Sequence, residues 1–354
     1  MLILLTGLAV PASMLAAEGA RSLPVVWVLA TGGTISGKGA ASTSLTEYSP
    51  GAFLGEELVA AVPEIKRVAA VRAEQIANVR SSDLTLDNWR ALAKRIDEIF
   101  SSDSSVAGVV VTHGTNTMEE TAYFLNLVVR HDRPVVLVGA QRPPTAISAD
   151  GPLNLLNAIR VAIAPEAKGK GVLLVMNDEI SAARDVTKTN TYRVETFRSA
   201  DLGFLGYVDG DRVALYRSPT RRHTVSSEFD VREIDKLPSV EIVYSYIQPT
   251  GVLIEALIAA GVDGIVFAGT GAGLISSFEK SALKSALSRP PEARPVFARS
   301  SRVGSGRVVA RDEYDAMGMI PADNLNPQKA RILLMLALTK TKDLSEIRRM
   351  FAEY

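Results

Sequence analysis

The sequence predicts an α/β protein, with a larger N-terminal doubly wound sheet domain followed by a smaller C-terminal α/β domain. Three observations lead there. Short runs of β-branched residues alternate with amphipathic helical patterns along most of the chain. The 354 residues, 47% of them hydrophobic, suffice for two domains that each bury a core. A polar, aperiodic stretch interrupts the alternation near residue 220, after which it resumes.

The elements follow in order. Val25 to Ala30 is a short apolar strand that ends at Thr31-Gly32-Gly33. Leu86 to Phe100 has helical spacing, with Leu86, Trp89, Leu92, Ile96 and Ile99 on one face. Val106 to Thr112 reads as a buried strand, and a helix starts around Met118. Val135 to Gly139 is a strand, Leu153 to Ala164 a helix, and Gly171 to Met176 a strand. This βα order implies a parallel sheet with helices on both faces. The N-terminal domain is expected over 24–217, an interdomain linker over 218–238 and the C-terminal domain over 239–354. In the last, Val240 to Tyr246, Gly264 to Ala268 and Pro295 to Ala298 read as strands. Thr250 to Ala260, Phe278 to Ser288 and Asn326 to Lys340 read as helices.

Composition narrows the function classes. Lys+Arg and Asp+Glu both total 39, so the balanced charge gives no reason to expect a nucleic-acid or membrane partner. A small zwitterionic or neutral substrate fits better. With no cysteine, disulfides, thiolate catalysis and zinc-cysteine sites are excluded. Three histidines, His113, His131 and His223, argue against a multi-histidine metal site. The apolar run Leu2 to Val10, followed by small residues and Glu18, reads as a signal peptide over 1–20, cut near Ala17 or Ala20. The expected location is therefore periplasmic or secreted.

Ligands of open parallel sheets bind beyond the C-terminal ends of strands. Two threonine-rich turns fall at such ends: Thr31-Gly32-Gly33-Thr34-Ile35 and Thr112-His113-Gly114-Thr115-Asn116-Thr117. Glycine admits a ligand close to the backbone, and a threonine hydroxyl can attack an acyl carbon once a base takes its proton. Taken alone, each turn equally suits threonines that cap a helix. Lys188, in Arg184-Asp185-Val186-Thr187-Lys188-Thr189-Asn190, is the candidate base; burial or neighbouring positive charge would have to lower its pKa. Competing motifs fail. The P-loop-like stretch Gly32 to Lys38 is followed by Gly39 rather than Ser or Thr, and Leu274 replaces the third dinucleotide glycine after Gly269 to Gly273. There is no G-x-S-x-G elbow. His113 reads as a packed turn residue.

Together with Val138-Gly139-Ala140, Arg142-Pro143, Ser148 to Pro152 and Leu325 to Arg331, these motifs make the chain resemble the bacterial type II L-asparaginases, including the glutaminase-asparaginases, from about Pro24 to Tyr354. The resemblance implies an amidohydrolase with a threonine acyl-enzyme, no cofactor and no metal. It also implies a homotetramer of intimate dimers, each site being completed by a partner subunit. Thr34 would be the nucleophile, with Tyr48 hydrogen-bonded to it. Thr115 would be the second catalytic threonine and Lys188 the proton shuttle. Ser81 would hold the substrate α-carboxylate and the Ala140 carbonyl would meet the leaving nitrogen. Backbone donors around Gly33 and Gly114 would steady the oxyanion.

Three positions depart from the family pattern. Asn116 stands where the family has an Asp that pairs with the substrate ammonium. Ser82 replaces a Gln or Glu, and Ala272 replaces an Asn. Glu313 is the candidate for the glutamate supplied by the partner. These changes predict weaker substrate binding, and lysine activation need not suffer. They leave two alternatives: an amidase for a modified or D-amino acid amide, or a catalytically weak periplasmic binder of amino acids.

Overall fold

The computed structural model describes residues 22–290 and 293–354. The expected leader, 1–20, lies outside the described residues. The strands β1 (Val25–Gly32), β2 (Ala70–Val79), β3 (Val106–Thr112), β4 (Val135–Val138) and β5 (Val172–Met176) form the parallel part of the main sheet. With β6 (Glu179–Ala182), β7 (Gly206–Val208) and β8 (Val213–Leu215) the sheet has eight strands, in the order β8-β7-β6-β5-β4-β3-β1-β2. The last three are antiparallel, which corrects the all-parallel expectation: β5 turns straight back into β6 through Asn177 and Asp178, both with positive φ, so no crossover helix intervenes.

Helices cover both faces. On one lie α2 (Leu86–Ser102) and α3 (Met118–Val128), packed on Leu29, Val109, Val111, Leu137 and Leu174. On the other, α1 (Gly55–Ala60) and α4 (Gly151–Ile163) pack on Val26, Val28, Val110, Val136 and Leu173. Adjacent strand residues thus point to opposite cores, so the strands read as continuous apolar runs. The α2 pattern holds: Trp89, Leu92, Ile96 and Ile99 are buried. Its Thr85 cap accepts from the Asn88 amide at 3.2 Å, satisfying an end that has no helical partner.

The C-terminal sheet is parallel, in the order β9 (Val240–Tyr244), β10 (Gly264–Gly269), β11 (Val296–Ser301), β12 (Ile320–Pro321). Helices α5 (Val252–Ala260) and α6 (Ser277–Leu287) lie on one side. On the other, α7 (Pro327–Leu338) and α8 (Leu344–Glu353) join the core that contains α2 and α3. The segment 218–238 is no loose tether: Phe229, Val231, Ile234 and Leu237 are buried in that shared core.

Two features place the site. The chain runs from β1 to β2 on one side, then crosses to β3 on the other, so the sheet's winding reverses between β1 and β3. The crevice beyond their C-terminal ends is where such folds bind ligands.

Candidate active site

Both threonine turns emerge at this switch point. The Thr31 hydroxyl donates to the Thr112 carbonyl at 2.9 Å, tying the two strand ends together. Gly33, at φ +88, abuts Gly114 so closely that a Cβ there would lie 2.3 Å from the Gly114 Cα. Gly114 in turn leaves no room for a Cβ against Ser81. Three chain segments therefore meet at one point only because two of them lack side chains.

Two adjoining chambers, of 170 and 590 Å³, open above this junction and share Thr34, Thr46, Tyr48, Thr115 and Asn116 in their walls. The smaller adds Gly33, Arg80, Ser81 and Gly114, and the larger adds Glu119, Gln141, Lys188 and Gln328. Thr34, Thr115 and Lys188, far apart in the chain, thus face one cleft.

Thr34 is 7% exposed, and its Oγ1 lies 2.5 Å from Tyr48 Oη. Tyr48 reaches it on a small antiparallel hairpin in which Gly39 faces Tyr48 and Lys38 faces Ser49. The ring lies so close over Gly37 that a Cβ there would meet it at 2.8 Å. The hairpin is tethered where Gly39 N donates to Thr145 Oγ1 at 2.9 Å and Ile147 N to the Ser42 carbonyl at 2.8 Å.

Lys188 sits on a two-residue strand, Thr187–Lys188, paired with Phe197–Arg198. Its Nζ donates to Thr115 Oγ1 at 2.8 Å and to Asn116 Oδ1 at 3.1 Å. Burial holds its pKa below the ordinary lysine range, and the nearby Glu119 carboxylate offsets part of that shift. Glu119, buried at the start of α3, accepts from Lys188 N at 2.7 Å. Its other oxygen accepts from Gln328 Nε2 at 2.5 Å and Asn326 Nδ2 at 3.3 Å. The C-terminal domain therefore reaches the site of its own chain through α7.

His113 is fully buried. Its Nδ1 bonds the Gly114 carbonyl at 2.6 Å and its Nε2 bonds Thr121 Oγ1 at 2.9 Å. The Gly114 carbonyl can only accept, so Nδ1 carries the proton, and Nε2 accepts from the Thr121 hydroxyl, which itself accepts from Trp89 Nε1 at 2.8 Å. Burial pushes the His113 pKa down to about 4. It props the turn from below and does not line the cleft.

The remaining expected site residues lie as follows. Ser81 is buried at the cleft wall, and its carbonyl accepts from Thr117 Oγ1 at 2.7 Å. Ser82 is exposed, bonds Asp83 and lies outside the lining. Ala140 is fully buried behind Gln141. Glu313 is exposed on the one-turn helix Asp312–Asp315, pairs with Lys280 and does not line its own chain's cleft. Sequence reading missed Arg80, Glu119, Gln328 and Gly37. Only the acidic Glu119-Glu120 pair at a helix start carried a signal, and it suits ordinary helix capping as well.

Comparison with known proteins decides the family. Residues 25–221 match the model of the N-terminal asparaginase domain, and 239–351 that of the glutaminase/asparaginase C-terminal domain. The chain belongs to the asparaginase family. It is 48% identical to L-asparaginase 2 of Bacillus subtilis over 342 residues, 97% of this chain and 90% of the relative. It is 45% identical to a probable periplasmic L-asparaginase of Haemophilus influenzae over 337 residues, 95% of this chain and 94% of that one. It is 45% identical to the glutaminase-asparaginase of Pseudomonas fluorescens over 343 residues, 95% of this chain and 92% of the relative. The crystal structure of a probable cytoplasmic L-asparaginase from Campylobacter jejuni superposes with a TM-score of 0.90 at 46% identity, covering 94% of this chain and all of the other.

Proposed function

We propose that this asparaginase-family protein hydrolyses the side-chain amide of L-asparagine to L-aspartate and ammonia, with L-glutamine as a second substrate. The observation that carries the reading is the Lys188–Thr115 hydrogen bond in the cleft that also holds the Thr34–Tyr48 pair.

Thr34 Oγ1 attacks the amide carbon while its proton passes to a base. That base is neutral Lys188, which takes the proton by way of Thr115 Oγ1, its hydrogen-bond partner at 2.8 Å; burial makes its uncharged form easier to populate. The C–N bond breaks as Lys188 passes that proton to the leaving nitrogen, and ammonia departs. Water then cleaves the ester and restores Thr34. Backbone N–H donors around Gly33 and Gly114 stabilise the oxyanion, an effect commonly worth ~3 kcal/mol per donor. Ser81 holds the substrate carboxylate and the Ala140 carbonyl receives the leaving nitrogen. One methylene separates asparagine from glutamine and discriminates by only about 1–3 kcal/mol, which is why both enter the proposal.

Ammonia release from asparagine and glutamine, by wild type and Thr34→Ala, tests the reading. Turnover should vanish in the variant while its circular dichroism is unchanged. Full activity in Thr34→Ala would refute it. Binding of aspartate with no turnover of either amide would favour an amino-acid binder instead.

The working form in this proposal is a homotetramer of intimate dimers. Exposed apolar side chains on the C-terminal domain, among them Tyr246, Ile247, Val252, Leu253 and Phe278, support a buried partner surface there. Light scattering on the purified protein reads the mass. Export to the periplasm or medium rests on the apolar N-terminal run of the sequence, and the N-terminus of the protein purified from its host would reveal any cleavage near Ala17 or Ala20.

A further inference from the structure

An α-ammonium group taken into a half-dry cleft needs an anion beside it, because its lost hydration is costly to leave uncompensated. The walls of this cleft hold the Arg80 guanidinium and Lys188, whose amine is neutral when it serves as the base. Among the described residues lining it, Glu119 is the only carboxylate. Both its oxygens are committed, one to Lys188 N at 2.7 Å and the other to Gln328 and Asn326. The Asn116 side-chain oxygen, which also lines the cleft, already accepts from Lys188 Nζ at 3.1 Å and carries no charge. At the other end, Arg80 adjoins Ser81 and favours an anionic group. A cleft so charged rewards the carboxylate of a ligand and gives its ammonium almost nothing.

We propose that this cleft also hydrolyses amides of short dicarboxylic acids that carry no α-ammonium, succinamate being the simplest, with an efficiency close to that for asparagine. The inference rests on the asparaginase reading above and widens its substrate class. The chemistry is unchanged: the amide C–N bond of succinamate is exchanged for C–O, with water consumed and succinate and ammonium released.

The test uses the full purified protein in its own oligomeric state. Measured by ammonia release, kcat/KM for L-asparagine should exceed that for succinamate by less than about tenfold. A larger preference overturns the proposal, and would mean that a carboxylate from a partner subunit meets the ammonium. A second arm does not depend on turnover. By isothermal titration, the Kd values of succinate and L-aspartate should lie within about tenfold of each other, and a larger preference for aspartate overturns the proposal. Loss of all amide turnover would sink the hydrolase reading, yet the product affinities would still decide this one. Asn116→Asp supplies the missing charge and should raise the aspartate-over-succinate preference about tenfold or more. An unchanged preference in that variant would overturn the charge argument.

Discussion

Gly33 and Gly114 pack backbone against backbone, and this contact is what brings the two threonine turns to a common point: a Cβ at Gly33 would stand 2.3 Å from the Gly114 Cα. No rotamer relieves that clash, and the φ of +88 at Gly33 strains any other residue as well. Gly33→Ala should therefore push the turns apart and lower kcat about hundredfold, as misplacements near 1 Å do. Steady-state kinetics together with thermal melting would check this, and activity within a small factor of wild type would show that the contact is dispensable.

The Tyr48 hydroxyl, 2.5 Å from Thr34 Oγ1, has no other hydrogen-bond partner among the described residues. Tyr48→Phe keeps the ring over Gly37 and removes one hydrogen bond to the nucleophile. The expected loss in kcat is about tenfold or more, the kinetic equivalent of ~1.4 kcal/mol. An unaltered kcat would assign the tyrosine to loop packing alone.

Lys188 acts as a base only when neutral, so kcat/KM should rise with pH through its folded pKa, which burial holds below the usual lysine range. Asn116→Asp adds a negative charge where Nζ now meets an amide oxygen at 3.1 Å, and should move that limb to higher pH. Glu119→Gln removes a charge that raises the lysine pKa, and should move it to lower pH. Glu119 is thus a positioning residue whose role shows in the pH profile as well as in kcat. A limb that stays put in both variants would remove Lys188 from the proton path.

His113 gives an acid-stability prediction with a definite sign. Its folded pKa, about 4, lies below the ordinary 6.5. Above pH 6.5 both folded and unfolded chains hold it neutral. As pH falls from 6.5 towards 4 the unfolded state takes up a proton that the buried ring refuses, so stability is lost over that interval. The contribution is about 3 kcal/mol when complete. Urea unfolding of wild type and His113→Gln at pH 7 and pH 4.5 measures it. The variant should lose less stability between the two values, and equal losses would contradict the assignment.

Much of the fold was legible because burial leaves a pattern. The strands Val106–Thr112 and Val172–Met176 are enclosed on both faces, so their apolar runs stand out. Strand Ala70–Val79, at the sheet's edge, carries Arg72, Glu74 and Gln75 and is only partly buried. It has too little contrast to be read. The antiparallel edge was missed for a related reason, since three- and four-residue strands have no measurable period. In the site, the glycine-threonine turns were visible because two of them recur at the ends of readable strands, where open sheets bind ligands. Glu119 and Gln328 were not, because each looks like an ordinary surface residue of a helix start until the domains pack.

The sequence by itself determined the alternating βα order, the two strand-end turns and Lys188 as the candidate base, because periodicity and residue chemistry are local properties. Only the tertiary structure decided that Thr34, Thr115 and Lys188 share a cleft and that a carboxylate from α3 is clamped by α7. It also decided that, among the described residues, both oxygens of the one carboxylate lining the cleft are already engaged. Those facts depend on distances between segments tens to hundreds of residues apart, which are fixed by how the sheet winds and how the second domain docks on it.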